Sequence, residues 1–269
     1  QLKPFEFLDF GKIAIPLIVV CIISVLIVIK LLIKKLKIPT RMAYLISIGS
    51  TVCGTTAIMA TAPVIKANKN EVSYAIANIT LFGILSMLIY PYFANFYFSN
   101  EPLLIGLFLG TSIHETSQVA AAGLIYEQQF NSPETLNIAT VTKLIRNTFL
   151  IIMIPLFAFL YNRGQAKEKS YSLLSIFPYF VLGFVSMIVL RNIGDEMFTL
   201  NSNWIDTVEI IKFSSKIFLT MAMAAIGLST NLKDIKNMGY KPFVVGFIAM
   251  LTVGIVCIIT IESYLKFFI

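Results

Sequence analysis

Two runs of small, hydroxyl-bearing residues interrupt an otherwise apolar chain: Gly49-Ser-Thr-Val-Cys-Gly-Thr-Thr56 and Gly110-Thr-Ser-Ile-His-Glu-Thr-Ser117. Gly weakens a helix interior by about 1 kcal/mol against Ala, and Ser and Thr compete for backbone hydrogen bonds. Each run therefore reads as a broken helix or a hairpin tip. Where one arm ends and another begins, Thr55 and Thr56, or Thr116 and Ser117, offer free N–H groups, the positive end of a helix dipole and hydroxyl donors. Ser50, Thr51 and Gly54 in the first run, and Thr111 and Ser112 in the second, complete the candidate set. Two such ends facing each other make an anion site from the backbone itself. The bland alternative is that the small residues only allow close helix packing. Hydroxyls kept in both runs favour a binding site.

The runs differ at Cys53-Gly54 against His114-Glu115. Ionisable groups at membrane depth are costly and usually face a cavity or a partner. Glu115 is a candidate carrier of a coupling proton, and His114 titrates nearest neutrality. A structural pairing at a hydrated tip is the alternative for both. Lys143 and Arg146 stand three residues apart inside a later apolar span, so they share a helix face. They need anionic company, which is either substrate or Glu115. No catalytic group, cofactor motif or metal-ligand spacing is present. Cys21, Cys53 and Cys257 lie in apolar stretches and His114 is the single histidine. An intramembrane enzyme built on His114 and Glu115 would lack a second metal ligand and a nucleophile pair, so the chain is not expected to be an enzyme.

The elements that hold these residues must be membrane helices. Of 269 residues, 57% are hydrophobic and 13% charged, against about half and a quarter in soluble domains. Mean hydropathy is +0.84. This excludes a soluble enzyme, a nucleic-acid-binding domain and a disordered chain. The net charge of +7 belongs in cytoplasmic loops. A helix needs roughly 20 apolar residues to cross the bilayer. Eight segments qualify, at about 10–33, 42–65, 72–97, 102–125, 136–161, 171–190, 204–228 and 242–265. They form a single transmembrane domain over 1–269. Gln1 in place of an initiator Met suggests that N-terminal spans are missing. Trp204, Tyr90, Tyr92 and Tyr264 suit interface anchoring. Asp206, Glu209, Lys212 and Lys216 read as a paired interfacial face, and Glu262 as a residue near a span end.

The chain carries a duplication. Residues 49–62 align with 110–123, matching Gly49, Thr55 and Ala60 to Gly110, Thr116 and Ala121, and pairing Ser50 with Thr111 and Thr51 with Ser112. Residues 72–97 align with 136–161 through Ala75, Pro91, Phe93, Ala94 and Tyr97. Repeat unit one is thus 42–97 and unit two 102–161. Loops 34–41, 162–170 and 229–241, which hold Lys34, Lys35, Lys37, Arg41, Arg163, Lys167, Lys169, Lys233, Lys236 and Lys241, should be cytoplasmic. If both Gly-rich segments are re-entrant, Lys66 and Lys69 join that side and the units become inverted. If both cross fully, Lys66 and Lys69 fall outside and the units run parallel. Charge placement favours re-entrance, as does the recurrence of broken helices at the midplane of inverted-repeat transporters.

The runs GSTVCGTTAIMA (Gly49–Ala60), GTSIHETSQVAAAG (Gly110–Gly123), Lys143-Leu-Ile-Arg146 and MAMAAIGL (Met221–Leu228), with Lys241-Pro242 after them, resemble the YeiH-like family of bacterial inner-membrane proteins, to which sulfate export is ascribed. The resemblance covers nearly the whole chain with its motifs in order. It implies kinship with cation/proton antiporters and anion transporters, with inverted repeats and interrupted helices. It also implies further spans before Leu8-Asp9-Phe10-Gly11. The family often has Asp at the position of Glu115, which keeps a carboxylate, and Ile at that of Val52.

The expected molecule is an all-α polytopic membrane protein of the bacterial plasma (inner) membrane. It is an inverted-repeat secondary transporter whose two broken or re-entrant segments meet near the bilayer midplane. It moves a small anion, sulfate or an organic sulfonate or carboxylate. Expected partners are that anion, a coupling proton or sodium ion and the lipid bilayer, with no nucleic acid and with homo-oligomerisation left open. A passive anion channel and a non-transporting scaffold or sensor are the alternatives.

Overall fold

The structure is a computed structural model that describes residues 4–164, 179–198, 201–229 and 239–264. Among these, all regular structure is helical: α1 (Pro4–Leu36), α2 (Thr40–Thr51), α3 (Thr55–Thr61), α4 (Lys69–Phe98), α5 (Pro102–Ser112), α6 (Thr116–Phe130), α7 (Pro133–Thr148), α8 (Leu150–Gly164), α9 (Tyr179–Met197), α10 (Ser202–Ser229) and α11 (Lys241–Tyr264). The starts follow local chemistry. Pro opens α5 and α7, where its missing N–H costs nothing. A reciprocal Asn68–Glu71 capping box opens α4.

Four stretches are long and apolar enough to cross a membrane: Phe10–Leu36, Lys69–Phe98, Pro133–Tyr161 and Lys241–Ser263. They correspond to four of the eight expected spans. The segments 42–65 and 102–125 are not continuous helices. The first is divided between α2 and α3, and the second between α5 and α6, which runs on to Phe130. Segment 136–161 steps at Phe149, whose N–H turns to Arg146 O at 3.2 Å in a tighter i−3 bond. Residues 171–178 of the sixth segment lie outside the described residues, as do the loop lysines Lys167, Lys169, Lys233 and Lys236. The side chains of Arg163, Lys212, Lys216, Tyr264 and residues 222–228 also lie outside them.

Glycine contacts fix the packing directions. A Cβ on Gly49 would stand 2.9 Å from Ile58 Cδ1 and 3.0 Å from Ile79 Cγ1. Gly49 and Ile58 would be roughly 13 Å apart along an unbroken helix, so α3 folds back on α2 and both lie on α4. In the second unit, Gly106 abuts Ile138, and Gly110 abuts Ala139 and Thr142. The numbers rise together, so α5 runs parallel to α7. Gly123 abuts Leu136 while Thr116 meets Asn147. Here they run oppositely, so α6 is antiparallel to α7 and folds back beside α5.

Helix α11 is pinned along α4. Tyr74 Oη donates to Gly239 O (2.8 Å), Asn78 Nδ2 to Pro242 O (2.7 Å) and Tyr90 Oη to Met250 O (3.2 Å). Tyr90 is therefore a buried strut between helices and not the interface anchor that its aromatic amphipathic character suggests. Its phenol reaches the Met250 carbonyl because Gly254 lets the ring approach α11. Tyr92 is exposed, as an anchor would be. Trp204 donates its indole N–H to Asp195 at 2.9 Å. Asp206, Glu209 and Glu262 are exposed. At one end of the bundle, Arg41 Nε donates to Tyr161 Oη at 3.0 Å, and Tyr44 packs edge-on against Phe157 and Tyr161. The beginnings of α2 and the end of α8 therefore share that end.

Candidate functional site

Both helix breaks come together around two side chains of α7. The first break is Val52-Cys53-Gly54, where Gly54 takes φ 61° and ψ −123°. An L side chain resists that conformation. The second is Ile113-His114-Glu115, with Ile113 and Glu115 in extended backbone. Each break leaves carbonyls at the end of the preceding helix without an intrahelical partner.

Lys143 and Arg146 fill that need for both helices at once. Lys143 Nζ donates to Val52 O (3.1 Å), Ile113 O (2.9 Å) and His114 O (2.5 Å). Arg146 Nε donates to Thr51 O (3.0 Å), Nη1 to Thr111 O (2.5 Å) and Ile113 O (3.2 Å), and Nη2 to Ser50 O (2.6 Å). Lys143 is 0% exposed and Arg146 2%. Their positive charges sit at two negative helix ends, which is the stabilising arrangement. The ion pair with Glu115 left open by the sequence is not how they are satisfied: all three ammonium protons and four of the five guanidinium N–H groups face backbone oxygen.

Glu115 instead reaches across to the first break. Its Oε1 accepts from Thr80 Oγ1 at 3.3 Å, and the hydroxyl and N–H of Thr55 turn toward the same carboxyl. Its Cγ lies 2.6 Å from where a Cβ on Gly54 would stand. Glycine is thus required there twice, by backbone angle and by this contact.

The hydroxyls divide in aligned pairs. Thr51 Oγ1 bonds back to Ser47 O (2.9 Å) and Ser112 Oγ to Phe108 O (2.5 Å). Ser50 Oγ is buried without a hydrogen-bond partner, as are both ring nitrogens of His114, and the buried Thr111 Oγ1 meets only the weakly bonding Cys257 thiol. Thr56 and Ser117, also an aligned pair, are the exposed hydroxyls of the tips, while Thr116 accepts from Asn147 Nδ2 at 3.1 Å. The structure thus gathers the nominated residues of both breaks around one crossing, except that Thr56 and Ser117 are exposed, and sorts them by role. Lys143, Arg146, Thr51 and Ser112 hold the backbone, and Ser50, Thr111 and His114 keep unused hydrogen-bonding capacity.

Sequence reasoning missed Thr80, Gln118 and Asn147. Gln118 Nε2 donates to Thr80 O at 3.3 Å. All three were visible as polar residues in apolar surroundings, with Asn147 next to Arg146. Among the described residues, no group of His, Cys, Asp and Glu could hold a metal ion.

Residues 1–246 match the family described as Conserved hypothetical protein 698. The chain is 36% identical over 261 residues to a UPF0324 membrane protein of Fusobacterium nucleatum, covering 93% of this chain and 75% of the relative. It is 37% identical over 257 residues to a UPF0324 membrane protein of Streptococcus agalactiae, covering 95% and 74%. The chain belongs to this family. UPF0324 relatives also include a membrane protein of Streptococcus pneumoniae, 35% identical over 245 residues. No solved structure matches. The UPF0324 relatives are named membrane proteins, and with its four candidate spans this chain is a multi-pass membrane protein.

Proposed function

We propose that the protein is a secondary transporter of a small anion, bound between two re-entrant tips that enter from opposite membrane faces. The observation that carries this reading is the pair Lys143 and Arg146 holding the carbonyl ends of α2 and α5 together at full burial. Irregular backbone at membrane depth persists only where protein or a cavity satisfies it. The fold-back of α3 on α2 and of α6 beside α5 supports re-entrance. The opposite running of α4 and of α7–α8 supports inversion: α4 starts beside α2, whereas α8 ends there, at the Arg41–Tyr161 bond. Helices α2 and α5 have 12 and 11 residues, so each reaches roughly 16–18 Å, about half a bilayer.

Transport fits better than catalysis because Lys143, Arg146 and Glu115 are engaged with backbone and threonine oxygens rather than aimed at a reacting atom. A coupling proton or sodium ion is the proposed energy source, with Glu115 its acceptor. The test is flux of radiolabelled sulfate and methanesulfonate into proteoliposomes, with and without proton or sodium gradients. Saturable, gradient-dependent flux is expected. Non-saturable flux indifferent to the gradients would mean a channel, and no flux from folded protein would favour a scaffold.

A further inference from the structure

Three formal charges meet at the crossing. Counted in their ordinary ionised states, the buried Lys143 and Arg146 are positive, and Glu115 is negative with its carboxyl at Thr55 and Thr80. The other titratable groups around the two cations are His114 and the thiols of Cys21, Cys53 and Cys257. At neutral pH their ordinary states are uncharged. Helix dipoles do not change the balance, because each break brings one negative and one positive helix end to the same place. One positive charge is left without a counter-ion: carbonyls hydrogen-bond it but do not neutralise it, and a buried charge without an opposite charge is costly.

Unused hydrogen-bonding capacity lies beside it. Arg146 holds the carbonyls of Ser50 and Thr111; the hydroxyl of Ser50 has no partner, and that of Thr111 meets no stronger partner than the Cys257 thiol. Both nitrogens of the fully buried His114 ring are unpartnered as well. These groups come from both breaks, and the two hydroxyls are an aligned pair of the duplication. We infer that the crossing binds one monovalent anion beside Arg146, with Ser50, Thr111 and His114 as its hydrogen-bonding partners, and that Glu115 sets the valence the site accepts. A dianion would leave the crossing one negative charge in excess. Removing the Glu115 charge would leave two positive charges and match a dianion instead. This rests on the anion-transport reading and names its substrate class.

Methanesulfonate and sulfate test it, since they share a sulfur–oxygen head and differ in charge. Their binding to the purified full chain is followed by thermal shift. Wild type should half-saturate at a methanesulfonate concentration at least tenfold below that for sulfate. Glu115→Gln should move the ratio at least tenfold toward sulfate, and Glu115→Asp should keep the wild-type ratio. Ser50→Ala with Thr111→Val should weaken both anions alike and leave the ratio in place. A wild-type preference for sulfate, which needs no variant to measure, overturns the inference. So does a ratio unchanged in folded Glu115→Gln. If folded wild type binds neither anion, the anion-transport reading itself fails, a result distinct from a reversed preference.

Discussion

Lys143 and Arg146 show how a charged side chain becomes structural in an apolar core. Each satisfies carbonyls from two separate helices, so losing either orphans several acceptors together. An unsatisfied buried polar group costs about 1–3 kcal/mol. Lys143→Met, which keeps the volume and removes the donors, should therefore destabilise the protein by about 3 kcal/mol or more, read as a lowered Tm in detergent. Arg146→Lys should also destabilise, because a point charge cannot replace a fork that reaches Ser50, Thr51, Thr111 and Ile113. At Gly54, an alanine Cβ meets Glu115 Cγ as well as the unfavourable φ of 61°. Gly54→Ala should cost about 1–3 kcal/mol, and Glu115→Ala in the same chain should recover part of it. A double-mutant cycle with purely additive losses would contradict the contact.

At the scale of elements, small residues decide which helices meet. Gly106 and Gly110 form one stripe on α5 that admits α7 to backbone contact. Gly106→Leu should lower Tm by more than the same change at Gly183, where nothing among the described residues lies within 4 Å of the added Cβ. Both breaks were legible in advance because Gly-Ser-Thr runs conflict with helix propensity, and the duplication gave each break an independent witness. Lys143 and Arg146 were legible as an i, i+3 pair. Their actual partners were not, because backbone carbonyls leave no side-chain signature in a sequence. Tyr90 misled for a related reason: an amphipathic ring suits an interface and an interhelical strut equally, and only the approach of Gly254 decides between them. Thr80, Gln118 and Asn147 were overlooked because each aligns with an apolar residue or glycine in the other copy (Leu144, Ala57 and Gly83), so the repeat gives none of them a polar counterpart.

Across the whole molecule, sidedness is the property most open to direct measurement. The native thiols of Cys21, Cys53 and Cys257 are buried, so a single introduced cysteine should report its own surroundings. Lys35→Cys and Lys66→Cys should label from one side of oriented membranes, and Glu101→Cys and Asn131→Cys from the other. Labelling of Lys35→Cys and Lys66→Cys from opposite sides would overturn re-entrance. The crossing charges of Lys143, Arg146 and Glu115 carry one further consequence. With Glu115 ionised, the unloaded crossing is a monocation deep in the electric field of the bilayer, and a bound monovalent anion neutralises it. A membrane potential acts on charge with about 2.3 kcal/mol per elementary charge per 100 mV. If the chain is the proposed anion carrier and Glu115 stays ionised, voltage would act on the return of the unloaded form and leave the loaded passage largely untouched, so a cell whose interior is negative would draw the vacant site inward.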